Sequence, residues 1–222
     1  YRWLAGGSNL TGFVGLGEPY RIDADHDGVL DDTINNPYAA GMELSGVDVG
    51  LALYFDENSN RNWLALKASA DSAVEVGLAG IDMALGDVSV EVNLGSDGQT
   101  VTDFAGALAL DVPIDDAQPA NTITLDLDGS YGQTVRARAN VAMEVGDFFS
   151  TSGSVGFEKS TRDIQLADGT ALRADMLSIG ANGLYGFAGV GGPYWLDSDG
   201  DGFITDGEQP GTNPDSVGLA LE

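Results

Sequence analysis

The sequence predicts an all-β protein, an elongated antiparallel β-sandwich or stacked-sheet repeat module, with a β-solenoid as the alternative. Three observations predict it. Apolar residues alternate with period two along most of the chain, short Asp-Gly turn signals separate those runs, and a long segment recurs later in the sequence. No amphipathic pattern runs beyond two helical turns.

The strands follow in chain order. Val47, Val49, Leu51, Leu53 and Phe55 share one face, with Asp48, Gly50, Ala52 and Tyr54 on the other. The same alternation gives Val88-Val90-Val92-Leu94, then Phe104-Gly106-Leu108-Leu110-Val112, then Ile123-Leu125-Leu127. A longer run, Val135 to Val145, sets Arg136, Arg138, Asn140 and Glu144 on its second face, a solvated one. Turns fall at Ser96-Asp97-Gly98, Asp128-Gly129 and Asp168-Gly169, the last centring a hairpin over 163–180. In 64–70 and 105–109 the second face carries Ala, Gly and Ser, which lets sheets approach closely. This amounts to nine or ten strands per repeat.

The recurrence sets the organisation. Residues 10–23, LTGFVGLGEPYRID, return as 184–197, LYGFAGVGGPYWLD, at an offset of 174 (184 − 10). Each copy then enters an Asp-rich loop. Asn36-Pro37 matches Asn213-Pro214, and Gly41 to Leu44 matches Gly218 to Leu221 at an offset of 177 (218 − 41). Residues 1–44 therefore read as the C-terminal part of one repeat with its loop, and 45–222 as one complete repeat ending in a second loop.

Composition excludes much chemistry. The 222 residues include 26 Asp and 9 Glu against 7 Arg and 2 Lys, a net charge of −26, which opposes binding to nucleic acid. There is no long apolar run, so membrane insertion is not expected. Tyr1 opens no secretory leader pattern, so a signal peptide is expected to be absent or already removed. The lack of cysteine removes disulfides and thiolate chemistry, and one histidine leaves little room for a triad. Extreme acidity with only two lysines suits a salty or extracellular setting.

Oxygen-ligand metal binding is what remains. Residues 197–208, DSDGDGFITDGE, match a twelve-residue EF-hand loop. Asp197, Asp199 and Asp201 occupy positions 1, 3 and 5, and Gly202 the sharp turn at position 6. Phe203 offers its carbonyl, Ile204 anchors the loop, Thr205 acts through water and Glu208 binds with both oxygens. Alternate residues of a curled segment point inward, and Ca2+ takes six to eight oxygens. The first loop, 23–34, is less complete. Asp23, Asp25 and Asp27 fill positions 1, 3 and 5, with Gly28 next, Val29 supplying a carbonyl and Asp31 at position 9. Ile34 replaces the final glutamate, so Asp32 or a later oxygen must substitute, and His26 points outward as a bystander. Asp56-Glu57-Asn58-Ser59-Asn60-Arg61-Asn62 lacks the glycine and reads as a polar hairpin turn.

Other patterns yield structural readings. The glycine-rich segment 12–17 recurs at 186–191 and opens no helix, so it packs a repeat rather than cradling phosphate. Trp3, Trp63 and Trp195, with Tyr20 and Tyr194, are the residue types that stack on sugars, and exposed Trp63 or Trp195 would favour a carbohydrate-binding or carbohydrate-active module. No motif selects a catalytic acid pair from 35 carboxylates.

The calcium loops resemble those of dockerins and thrombospondin-type repeats. The segments SGVDVGLALYFD at 45–56 and NWLALKASADSA at 62–73 resemble the long repeats of giant secreted bacterial proteins, adhesin-like or RTX-like. That resemblance implies export, calcium, a structural or adhesive role and no catalytic residue. The expectation is a non-enzymatic, calcium-binding β-repeat at the cell surface or outside it. Its expected partners are neighbouring repeats and a cell-surface or polysaccharide ligand.

Overall fold

The computed structural model describes residues 1–17, 20–28, 36–205 and 207–222. The long strands are β1 (Arg2–Leu16), β2 (Ala40–Phe55), β3 (Asn62–Val76) and β4 (Ile81–Gly95), followed by β7 (Thr134–Val145), β8 (Phe149–Gln165) and β9 (Ala171–Val190). Between β4 and β7 lies a small hairpin, β5 (Leu110–Pro113) with β6 (Thr122–Leu125). After β9 come the short pair β10 (Trp195–Leu196) and β11 (Gly211–Thr212), then β12 (Val217–Leu221). The long strands and β12 form one eight-stranded sheet in the order β1-β2-β3-β4-β7-β8-β9-β12. Every neighbouring pair is antiparallel, as an up-and-down path demands. The chain is all-β and sheet-built, and the described residues form no closed solenoid.

Several of the expected strands change in extent: the one at Val47–Phe55 begins at Ala40, and Leu127 falls outside Thr122–Leu125. Phe104–Val112 was expected to be one strand, but Gly106–Leu108 forms a 3-10 turn and only Leu110–Pro113 pairs. Gly106 sits at φ 57°, a left-handed conformation that ends a strand. The strand expected at Val88–Leu94 extends back to Ile81, because its partners β3 and β7 are equally long.

The sheet has a line of irregular backbone across its middle. Asn9 (φ 52°), Gly46 (φ 59°), Asp87 (φ 48°) and Gly183 (φ 56°) interrupt β1, β2, β4 and β9. Side chains hold this line together: the Asn9 amide donates to Asp48 Oδ1 at 2.9 Å, and Asn140 Nδ2 donates to Asp87 Oδ2 at 2.9 Å. Short polar side chains that bond locally are the non-glycine residues most at ease there.

Burial falls on the face with small side chains. Ala52, Ala65, Asn93, Thr134 and Ser160 lie side by side in register across five strands, and all are buried. The β5–β6 hairpin and its approach cover one end of that row. Val112 and Leu125 are fully buried, and with Phe104 and Leu127 they pack on Ala52 and Ala65. Small residues permit this approach: a Cβ at Gly50 would stand 3.1 Å from Ile123. Asn93 is satisfied by the Thr102 carbonyl and hydroxyl at 2.7 and 3.0 Å, so its burial leaves no polar atom unpaired. The opposite face is apolar, with Leu51, Leu66, Val92 and Val135 adjacent in register and half-buried.

The sequence recurrence is also a recurrence of geometry. Leu16↔Ala40, Gly15↔Gly41 and Gly12↔Leu44 in the β1–β2 pair match Val190↔Val217, Gly189↔Gly218 and Gly186↔Leu221 in β9–β12. Phe13 stacks on Tyr20 at 5.2 Å and Phe187 on Tyr194 at 6.0 Å, with interplanar angles of 22° and 23°. The Asn36 amide donates to the Tyr20 carbonyl at 2.7 Å, and that of Asn213 to the Tyr194 carbonyl at 2.8 Å. Strand β2 stays paired with β3 across residues 44 and 45.

Candidate metal centres

The second Asp-rich loop is pinned at both ends. Before it, Trp195 and Leu196 pair with Thr212 and Gly211, which closes the loop as a hairpin. In its middle, Ile204 is buried and its amide donates to Ser152 Oγ of β8 at 2.7 Å, while Phe203 lies against Gly86 of β4. Ile204 thus anchors the loop to the sheet, as its position predicts.

Within the loop, Asp197 accepts from the amides of Gly200 and Gly202, both at 2.7 Å. Gly200 and Gly202 hold φ of 81° and 94°, which turns those amides inward. Asp199 accepts from the Asp201 amide at 3.2 Å, and Asp201 from the Phe203 amide at 2.8 Å. Glu208 folds back across the loop, with one oxygen on the Ser198 amide at 2.6 Å and the other on the Thr205 amide at 3.2 Å. Carboxylate oxygens of Asp197, Asp199 and Glu208 all come within 4.8 Å of one another. Asp201 is not one of that cluster, and its place is beside Phe203.

The first loop curls in the same way as far as it is described. Asp23 accepts from the Gly28 amide at 2.9 Å and the Asp27 amide at 3.1 Å, and Asp25 accepts from the Asp27 amide at 3.2 Å. His26 (φ 64°) and Gly28 (φ 90°) take the backbone places of Gly200 and Gly202. Oxygens of Asp23, Asp25 and Asp27 cluster within 4.8 Å. His26 is exposed, with Nδ1 3.2 Å from the Ala24 carbonyl. Val29, Asp31 and Asp32 lie outside the described residues.

Electrostatics distinguishes the carboxylates. Asp197 is held below the ordinary carboxylate range, first by the Gly200 amide and then by that of Gly202. Asp23 is lowered too, chiefly by the Gly28 amide. Asp199 moves the other way. The Asp201 amide favours its charged form, but desolvation, the Asp201 charge, the Asp197 side chain and Glu208 together outweigh that and raise it. A carboxylate raised by its acidic neighbours is one that a cation would relieve. The donors are all hard oxygens, which suits a hard cation and not a soft metal.

The remaining acidic motif is a turn. Asp56 accepts from the Asn58 amide, Ser59 Oγ and Arg61 between β2 and β3, as its sequence predicts. Asp97 caps another turn with the Thr100 hydroxyl, the Thr100 amide and the Gln99 amide, and these lower it from 3.8 to about 2. Its contribution is therefore complete above 3.8 and disappears as pH falls through about 2. Carboxyl chemical shifts should place the Asp97 midpoint near that lower value; a midpoint at 3.8 would mean that the turn is open in solution.

Two of the three tryptophans are packed and hydrogen-bonded. Trp63 is half-buried and donates to Thr100 Oγ1 at 2.9 Å. Trp195 is half-buried too, donates to the Leu221 carbonyl at 2.9 Å and meets Tyr185 and Tyr194 edge-on. Trp3 is 63 % exposed, with Phe55 against it. Arg136, expected on a solvated face, instead bridges Glu91 at 2.8 Å and Glu158 at 2.9 Å, with Arg162 on the far side of Glu158. Those acids lie on neighbouring strands, and only strand order brings them to Arg136.

Comparison with protein-family models, with curated proteins and with solved structures gives no match. No helix among the described residues is long and apolar enough to cross a membrane.

Proposed function

We propose that the chain is a calcium-binding structural repeat of a large extracellular, multi-repeat bacterial protein, serving as a spacer or adhesive segment. Calcium stiffens it after export. Its partners are neighbouring repeats and a cell-surface or polysaccharide ligand, and it carries no catalysis of its own. One observation supports the ionic part most directly: two Asp-rich loops at equivalent places curl with the same backbone signs and the same Asp-to-glycine-amide bond. Asp197, Asp199, Asp201, the Phe203 carbonyl and Glu208 would hold one ion, and Asp23, Asp25 and Asp27 the core of the other. Half-buried Trp63 and Trp195, with their indole N–H groups engaged, favour the structural reading over the carbohydrate one.

Isothermal titration of chelator-stripped protein tests this. Two calcium ions should bind, the one at 197–208 more tightly, because only that loop has a glutamate at its end. Glu208→Ala removes two ligand oxygens and should lower the count to one. No heat and no stabilisation at about 10 mM calcium, above the roughly 10⁻⁴–10⁻³ M constants of extracellular modules, would sink the proposal.

A further inference from the structure

We infer that the outer edge of β12, with the neighbouring surface of β9, seats the next copy of this repeat in the same chain, so that successive repeats form one unbroken antiparallel sheet. The inference rests on the reading of the chain as a tandem repeat, specifies how its copies join, and does not require an ion.

The first argument is the register. Strand β2 has β1 on one side and β3 on the other. β12 repeats the pairing register of the first five residues of β2, Ala40–Leu44, against β9, which stands in the place of β1. Among the described residues β12 is the outermost strand of the sheet. By that equivalence its free edge is built for a copy of Asn62–Val76. Val217, Leu219 and Leu221 are 70, 76 and 73 % exposed, whereas Ala40, Met42 and Leu44 at the equivalent positions of β2 are half-buried beside β3.

The second argument is a glycine with no reason of its own. The β5–β6 hairpin crosses β2 and reaches β1, where a Cβ on Gly6 would collide with the Pro113 carbonyl and stand 3.1 Å from Ile114. Gly6 must therefore be glycine for the hairpin to settle. At the offset of 174 its counterpart is Gly180 of β9 (180 − 6), also glycine, yet a Cβ there meets nothing within 4 Å. Glycine inside a strand weakens it and marks a place where another backbone comes close. The hairpin of a following copy supplies that backbone. A groove of about 510 Å³ over β7, β8 and β9, lined by Arg138, Asn140, Ser154, Gly156, Gly180 and Asn182, lies open beside the position. Six strands, β2, β3, β4, β7, β8 and β9, then separate one junction from the next, an advance of about 29 Å at roughly 4.8 Å per strand.

Hydrogen exchange on two chains tests the join: residues 1–222, and residues 1–221 followed by a second 45–222. Amides of 217–221 should exchange about a hundredfold more slowly in the extended chain, since an edge strand becomes an inner one. Gly180→Val should leave the thermal midpoint of the single chain unchanged but speed exchange of the second hairpin in the extended chain. Gly6→Val should do the same to the hairpin of the single chain. Unchanged exchange at 217–221 on adding the copy would overturn the inference. So would a silent Gly180→Val in the extended chain when Gly6→Val acts in the single one. Protection of 217–221 in the single chain that grows with protein concentration would place a separate molecule on the edge and would also overturn it. Slowing seen equally in calcium and in chelator supports the join, while the titration alone decides the ionic part of the proposed function, so the two fail separately.

Discussion

Stripping calcium is expected to lower the thermal midpoint by about 10–20 °C. A site filled at about 100 times its dissociation constant stabilises by roughly 2.7 kcal/mol. For a chain of this size each kcal/mol moves the midpoint by about 2–4 °C, so two sites account for the range. The local cause is visible in the second loop, where Asp197, Asp199 and Glu208 bring their oxygens within 4.8 Å and Asp199 is raised by its neighbours. A divalent cation held by Asp197, Asp199 and Glu208 would replace that repulsion with attraction. Because Ile204 is bonded to Ser152 on β8, order in the loop is transmitted to the sheet. Glu208→Ala should abolish about half of the shift. Magnesium should substitute poorly, since it demands an octahedral shell and keeps its waters. Equal midpoints in calcium and chelator would show that the loops fold on their own hydrogen bonds.

Leu125→Ala should destabilise the chain by about 2–5 kcal/mol, the usual range for emptying a fully buried leucine. Leu125 has no exposed surface and sits among Val112, Phe104, Ala52 and Ala65. Those alanines cannot move in to fill the space, because their strands are paired on both sides. The hairpin has only four residues in each strand and depends on this contact to stay on the sheet. Denaturant unfolding would measure the loss, and hydrogen exchange should show 110–125 opening first. Calcium stoichiometry should stay at two ions, which separates this core from the loops. A cost under about 1 kcal/mol would mean that the hairpin is held by something other than this cluster.

Both expectations trace to features of different legibility. The curl of 197–208 was readable because it is local: the bonds from Asp197 to the Gly200 and Gly202 amides and from Glu208 to the Ser198 and Thr205 amides all fall within twelve residues. Leu125 was readable only as one residue of an alternating run. Nothing in Ile123-Leu125-Leu127 says that its partners are two alanines on strands far upstream. Arg136 shows the same limit, since its acids Glu91 and Glu158 are 45 and 22 residues away.

By itself the sequence determined that the chain is all-β, which residues share a strand face, where the turns at Asp56, Asp97 and Asp168 fall, and that one segment returns 174 residues later. These follow from contacts between near neighbours, or from direct comparison of letters. Tertiary structure alone decided which face is covered, that Phe104 leaves the strand to fill a core while Leu108 stays exposed, and that the recurring segments share one pairing register. It also decided that the small-residue face takes the hairpin while Leu51, Leu66 and Val92 on the other stay half-buried. Alternation assigns side chains to two faces but does not say what arrives over either, because that depends on strand order and on loops whose length the period-two pattern does not encode.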